Sequence, residues 1–163
     1  MKPIYVYAGS FCPPTYGHWH IVCQTAKIFP EVIIVCSVNP NKNGQWFTPE
    51  ECKDLWQTYD LLANVKVETL ASLSKRLNDF SGLILIRGIR NEEDLQENVS
   101  VIKLNSEQFG INKFFYQLAD KKYCQISSTK AREAAMRGDI TELNRMVNND
   151  VYLALMEKVK VRG

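Results

Sequence analysis

The chain has 163 residues and a formal net charge of +2, with 45% hydrophobic and 23% charged residues. That size and balance fit a single globular domain, 1–163, able to bury a full core without disulfides. The near-neutral charge gives no electrostatic case for duplex nucleic acid or an anionic membrane, although a small anionic ligand needs just a few placed cations.

Pro3 to Ala8 reads as a strand, and Gly17 to Phe29 as a helix with Ile21, Val22, Ala26 and Phe29 on one face. Glu31 to Val38 is a continuous β-branched run, the pattern of a strand buried on both sides. Thr48-Pro49-Glu50-Glu51 is a helix start, with Thr at the cap, Pro at the first helical position and Glu three residues after the cap; that helix is expected to reach about Leu62. Val65 to Thr69 reads as a strand, Ser72 to Asp79 as a short helix, and Gly82 to Arg87 as another buried strand. A helix from Glu92 to about Phe109 and a strand from Lys113 to Leu118 follow. Ser127 caps a helix ending near Gly138, and two helical pieces, Thr141 to Val147 and Asp150 to Lys158, close the chain.

Strands alternating with helices predict an α/β architecture: a Rossmann-like, doubly wound, parallel five-stranded sheet with helices on both faces and a C-terminal helical extension. The longest apolar runs are far too short to cross a bilayer. Gly9, Ser10, Pro13 and Pro14 interrupt the N-terminal segment before any signal-peptide core, so a cytoplasmic protein is expected. The five cysteines include no C-x-x-C spacing, which predicts reduced thiols and no metal site. Cys23, Cys36 and Cys52 fall in periodic segments and read as small core residues.

In such sheets ligands bind outside the carboxyl ends of the strands. The loops to read are therefore Gly9 to Tyr16, Asn39 to Phe47, Gly88 to Asn91 and Ala119 to Ile126. The first is neither a G-x-G-x-x-G fingerprint nor a P-loop. It does bring Gly9, Ser10, Thr15, Gly17 and His18 to a helix N-terminus, where free N–H groups and the helix dipole favour a phosphate. His18 there is either a donor to a phosphoryl oxygen or an exposed turn residue. His20 points to another side of the helix, so the two do not form a metal pair. Cys12 lies in the same loop, where helix-end N–H groups are expected to lower a thiol pKa.

Gly9-Ser10-Phe11 followed by Thr15-x-Gly17-His18 resembles the T/H-x-G-H signature of the nucleotidylyltransferase superfamily. Ile126-Ser127-Ser128-Thr129, with Lys130 and Arg132 after it, is similar to that superfamily's late I-S-S-[ST] segment. Asn39-Pro40-Asn41-Lys42, Phe47-Thr48-Pro49-Glu50-Glu51, Arg87-Gly88-Ile89-Arg90 and Gly138-Asp139-Ile140 resemble, within it, the phosphopantetheine adenylyltransferase family over nearly the whole chain. The resemblance implies adenylyl transfer from ATP to 4′-phosphopantetheine, with magnesium carried by the ATP. It implies that His18, Lys42 and Arg90 are catalytic. It places ATP on Ser10, Phe11, Gly17, His18, Gly88, Ile89, Arg90, Asn98, Tyr123, Ile126, Ser127, Ser128 and Thr129. The acceptor falls to Ser10, Lys42, Leu73, Ser74 and Arg87. It also implies a homo-oligomer, a hexamer, with small-molecule substrates and neither nucleic-acid nor membrane partners.

The chain departs from the family pattern at Cys12, where Asp is usual, at Glu97, where Tyr is usual, and at Asn98, where a Glu expected to contact ATP is usual. Leu70, Ala71, Leu73 and Leu77 offer an apolar groove for the pantetheine chain, with Lys75 and Arg76 facing solvent. A mononucleotide acceptor would instead require an aromatic partner. Trp46 and Trp56 are available, Trp56 reading more simply as core. Nicotinate or nicotinamide mononucleotide adenylyl transfer, and a non-catalytic nucleotide-binding regulator, are the competing readings.

Overall fold

A computed structural model describes residues 2–38 and 45–163. Strands β1 (Ile4–Gly9), β2 (Val32–Cys36), β3 (Val65–Thr69), β4 (Leu83–Ile89) and β5 (Lys113–Leu118) form one parallel sheet in the order β3-β2-β1-β4-β5. The expected Rossmann-like α/β fold is therefore present. Its helices are α1 (Tyr16–Ala26), α2 (Pro49–Trp56), α3 (Leu70–Arg76), α4 (Glu92–Phe109), α5 (Ser128–Arg137), α6 (Ile140–Met146) and α7 (Asn149–Arg162).

The sheet divides the core by side-chain parity, because successive strand residues point to opposite faces. Val32, Ile34 and Cys36 pack with Val22, Ile86, Trp56 and the buried faces of α5 to α7. Ile33 and Val35 pack on the other face with Val6, Leu83, Leu85 and Leu73. All five β2 residues are buried, which accounts for the unbroken apolar run. Trp56 is fully buried, as are Cys36 and Cys52, whereas Cys23 is half-buried.

Several helix boundaries differ from expectation: α1 ends at Ala26 rather than Phe29, α7 continues to Arg162 rather than Lys158, and α2 and α3 are displaced. α2 stops at Trp56 because Thr58 turns back on the carbonyl of Leu55, donating to it through its N–H at 3.1 Å and its hydroxyl at 2.6 Å. α3 starts at Leu70 because Thr69 is its cap, accepting the N–H of Ser72 at 3.1 Å. The expected apolar groove on this segment is not there. Leu73 is buried in the core, with Leu70 and Leu77 packed against it. Arg76 faces out but is held by Glu68 at 2.8 Å.

Strand order reverses direction between β1 and β4. From β1 the chain winds outward through β2 and β3, then crosses to β4 on the other side and on to β5. This switch point leaves a crevice at the carboxyl ends of the two central strands. Among the described residues, no helix is long and apolar enough to cross a membrane.

Candidate active site

A cleft of about 310 Å³ occupies that crevice, walled by the loop after β1, the start of α1, the end of β4, one face of α4 and the start of α5.

The β1–α1 loop is set by aromatic packing. Phe11 has a φ of 43°, in the left-handed region that side chains rarely adopt. Its buried ring is fixed edge-on to His18 and to Trp56, each with centroids 5.1 Å apart. A Cβ at Gly9 would lie 3.0 Å from that ring, so the glycine permits the close approach. Thr15 caps α1 in a reciprocal arrangement in which His18 takes the place usually held by Glu or Gln. The Thr15 N–H donates to His18 Nδ1 at 3.0 Å. A neutral imidazole that accepts at Nδ1 carries its proton on Nε2. Ser10, Phe11, Gly17 and His18 all line the cleft.

The end of β4 brings in two arginines. Arg90 donates through Nε and Nη2 to the two oxygens of Asp94 at 2.9 and 3.0 Å, and through Nη1 to the carbonyl of Ile126 at 3.1 Å. Burial opposes ionisation of Asp94, but the hydrogen bonds and charge of Arg90 outweigh it and hold the carboxyl below its usual range. Arg87 donates through Nε to Asn98 Oδ1 at 3.0 Å. Gly88 lines the cleft because it lacks a Cβ, which would sit 3.0 Å from Ile21 Cγ1. Ile89 is buried outside the cleft lining, its carbonyl taken by the N–H of Ala119 at 2.9 Å.

Opposite, Ser127 caps α5 by accepting the N–H of Lys130 at 3.1 Å, which leaves its own hydroxyl hydrogen available to an anion. Ser128 spends its hydrogen on the carbonyl of Pro13 at 2.7 Å, so it ties the two phosphate-side loops together. Thr129 Oγ1 accepts from Arg132 at 3.3 Å. The first-turn amides of α5 have no intrahelical acceptor, and Ile126, Ser127, Ser128 and Thr129 all line the cleft. Tyr123 does too, stacked on the buried ring of His20 with centroids 4.4 Å apart. His20 Nε2 accepts the N–H of Asp120 at 3.3 Å, consistent with a structural residue.

Several expected site positions stand elsewhere. Lys42 lies outside the described residues. Leu73 and Ser74 do not line the cleft: Leu73 faces the core and Ser74 is exposed on α3. Asn98 does line it, buried at 3% exposure, but its amide is engaged by Arg87 and by the carbonyl of Asp94. Cys12 has the expected lowered thiol pKa, but from other groups than those expected. Its thiol faces away from the cleft, accepting the N–H of Phe47 at 3.3 Å. The pKa is held down to about 6, chiefly by a hydrogen bond from Cys52, against burial, and then by the amides of Phe47 and Trp46 and the charge of Arg132. Asp94, Tyr7 and Ile21 are cleft residues that motif reading gave no role. For Asp94, the signal was its spacing of four residues from Arg90.

Residues 6–134 match the cytidylyltransferase-like family model. The phosphopantetheine adenylyltransferase of Corynebacterium efficiens is 38% identical, over 80% of this chain and 82% of its own. That of Corynebacterium glutamicum strain R is 39% identical, over 83% and 86%. The chain belongs to the cytidylyltransferase-like nucleotidyltransferases, and within them to the phosphopantetheine adenylyltransferases. Among solved structures, a Plasmodium falciparum nicotinic acid mononucleotide adenylyltransferase superposes with a TM-score of 0.66 at 15% identity, covering 96% of both chains, a likeness of fold.

Proposed function

We propose that this protein transfers the adenylyl group of ATP to the phosphate of 4′-phosphopantetheine, giving dephospho-coenzyme A and pyrophosphate. The observation that carries the reading is the convergence of His18, Arg87, Arg90 and the α5 N-terminus on one cleft, in a chain 38% identical to a phosphopantetheine adenylyltransferase.

The chemistry suits these residues. An acceptor phosphate has its second pKa near 6 and is largely ionised at neutral pH, so its oxygen attacks the α-phosphorus without a general base. That oxygen–phosphorus bond forms as the bond to the β-phosphate breaks and pyrophosphate leaves. The protein's task is alignment and charge stabilisation. His18, with Nδ1 held as an acceptor, presents Nε2–H to the α-phosphoryl oxygen, where negative charge grows. Arg90 and the α5 amides take the β- and γ-phosphates. Ser10 and Arg87 take the acceptor phosphate, and Lys42 draws it into line. Tyr123 and Ile21 flank the nucleotide. Magnesium enters with the ATP as part of the substrate; among the described residues no group of three or more His, Cys, Asp or Glu could hold a metal.

The reading extends to a homo-oligomer, taken to be a hexamer, working in the cytoplasm. α4 supports association: it runs for 18 residues and buries just Asn98, while Leu95, Val99 and Ile102 present an exposed strip at helical spacing. Sedimentation equilibrium tests that part.

The catalytic reading is tested by incubating the protein with ATP, magnesium and 4′-phosphopantetheine and following pyrophosphate and product mass together. Equimolar pyrophosphate and dephospho-coenzyme A are expected. Loss of ATP with no adduct of the acceptor contradicts it.

A further inference from the structure

Tyr123 lines the cleft from a slight element. It ends a single 3₁₀ turn, Lys121–Tyr123, that has no side-chain cap and buries none of its residues. Two backbone hydrogen bonds close that turn, from Tyr123 to the carbonyl of Asp120 at 2.8 Å and from Cys124 to that of Lys121 at 3.4 Å. So short a piece has little stability of its own.

It rests on His20 of α1. The imidazole is buried at 4% exposure and meets the turn twice. Nε2 accepts the N–H of Asp120 at 3.3 Å, which fixes the backbone at the entrance of the turn. The ring lies against that of Tyr123, with centroids 4.4 Å apart and planes 16° apart, which fixes the plane of the phenol ring. Burial keeps the imidazole below its ordinary pKa, so Nε2 is an acceptor at neutral pH. The Asp120 carboxylate also lies 3.6 Å from Nε2, but it is 73% exposed and water screens its pull. The exposed Lys122 ammonium, 5.4 Å from the centre of the Tyr123 ring, adds a contact that sets no plane.

We propose that His20 is a positioning residue for nucleotide binding: through the Asp120 N–H and the stacked ring it holds Tyr123 as a fixed wall for the base, while α1 presents His18 to the phosphates. This deepens the functional reading above and rests on its placement of ATP in the cleft. His18 and His20 leave one helix toward different sides, so a single rigid element sets the span from phosphate contact to base wall. The base meets a ring already ordered, and less entropy is lost on binding.

The test is calorimetry with magnesium ATP and with magnesium tripolyphosphate, which carries the phosphates without the base. His20→Ala removes both contacts. It should weaken ATP about tenfold, the scale of one lost stacking partner, and move tripolyphosphate less than about twofold. His20→Gln restores an acceptor for Asp120 but no ring, and His20→Phe restores a ring but no acceptor. Each should recover part of the loss, and the two carry the test if His20→Ala does not fold. In a Tyr123→Ala background all three substitutions should lose most of their effect on ATP, since coupled residues are not additive. That cycle decides the matter alone if tripolyphosphate binds too weakly to follow. Equal weakening of both ligands, full effects persisting without Tyr123, or unchanged ATP affinity in every variant would overturn the proposal. Failure of the unmodified protein to bind ATP overturns it together with the functional reading. Binding of ATP without turnover of 4′-phosphopantetheine defeats that reading alone, and the cycle still decides the role of His20.

Discussion

The backbone N–H of Thr15 points at Nδ1 of His18 across 3.0 Å. The contact that caps α1 therefore also sets which nitrogen of the His18 ring carries its proton. Helix initiation and, in the proposed mechanism, transition-state stabilisation share one pair of residues.

Substitution of either partner should separate the two roles. His18→Ala is expected to cut kcat by roughly a hundredfold or more with little change in either KM, as loss of a donor to developing charge does. Thr15→Val keeps the N–H but removes the hydroxyl cap, and should cost about 1 kcal/mol of stability with kcat falling far less. Steady-state rates and urea unfolding on the same variants check both. A folded His18→Ala enzyme of near-normal kcat would remove His18 from the chemistry.

Much of this was legible before any coordinates. β-branched runs mark β2 and β4, Thr48 and Ser127 announce their helices, and the first and late motifs with the Arg87-Gly88-Ile89-Arg90 segment name most of the cleft. What was not legible depends on how elements rotate against one another. A seven-residue helix has too few turns for its period to say which face turns inward, so the pattern suggests a groove at Leu73 where the structure has core. The pairing of Arg87 with Asn98 and of Arg90 with Asp94 is set by the seating of α4 on β4. Cys12 sits in the expected loop, but its thiol turns toward Cys52 and Phe47, a direction that sequence spacing does not encode.

Gly88 makes a steric prediction. A Cβ there would meet Ile21 Cγ1 at 3.0 Å and Cδ1 at 3.2 Å, and Ile21 lines the cleft. Gly88→Ala should push Ile21 into the space assigned to the nucleotide. A several-fold rise in ATP KM is expected, together with a stability loss of about 1–3 kcal/mol from overpacking. An unchanged ATP KM would show that Ile21 does not border the nucleotide.

His20 should make stability depend on pH. Burial lowers its pKa below the ordinary 6.5; Asp120 pulls the other way and Lys27 reinforces the shift. The unfolded chain then binds the proton more readily than the folded one. The stability contributed is fully present above pH 6.5 and is lost as pH falls toward the lower folded pKa. Thermal unfolding across pH 5 to 8 should show this slope, and His20→Gln, which keeps an acceptor for Asp120, should flatten it. An identical slope in the variant would assign it to other groups.

Cys12 tests a structural role close to the site. Its sulfur is the acceptor for the buried N–H of Phe47. Cys12→Ala leaves that N–H unpaired and should cost about 1–3 kcal/mol in denaturant unfolding. Because the thiol lies outside the cleft, the ATP KM should stay within about twofold. A selective loss of ATP affinity in a stably folded variant would place the thiol in the binding site.

The central claim is that this cleft joins ATP to phosphopantetheine. It is met most directly by comparing kcat/KM for 4′-phosphopantetheine and for nicotinate mononucleotide under identical ATP and magnesium. A preference for phosphopantetheine of at least roughly a hundredfold is expected, because a site shaped for one acceptor leaves polar groups unpaired with the other. Equal turnover, or a preference for the mononucleotide, would contradict it.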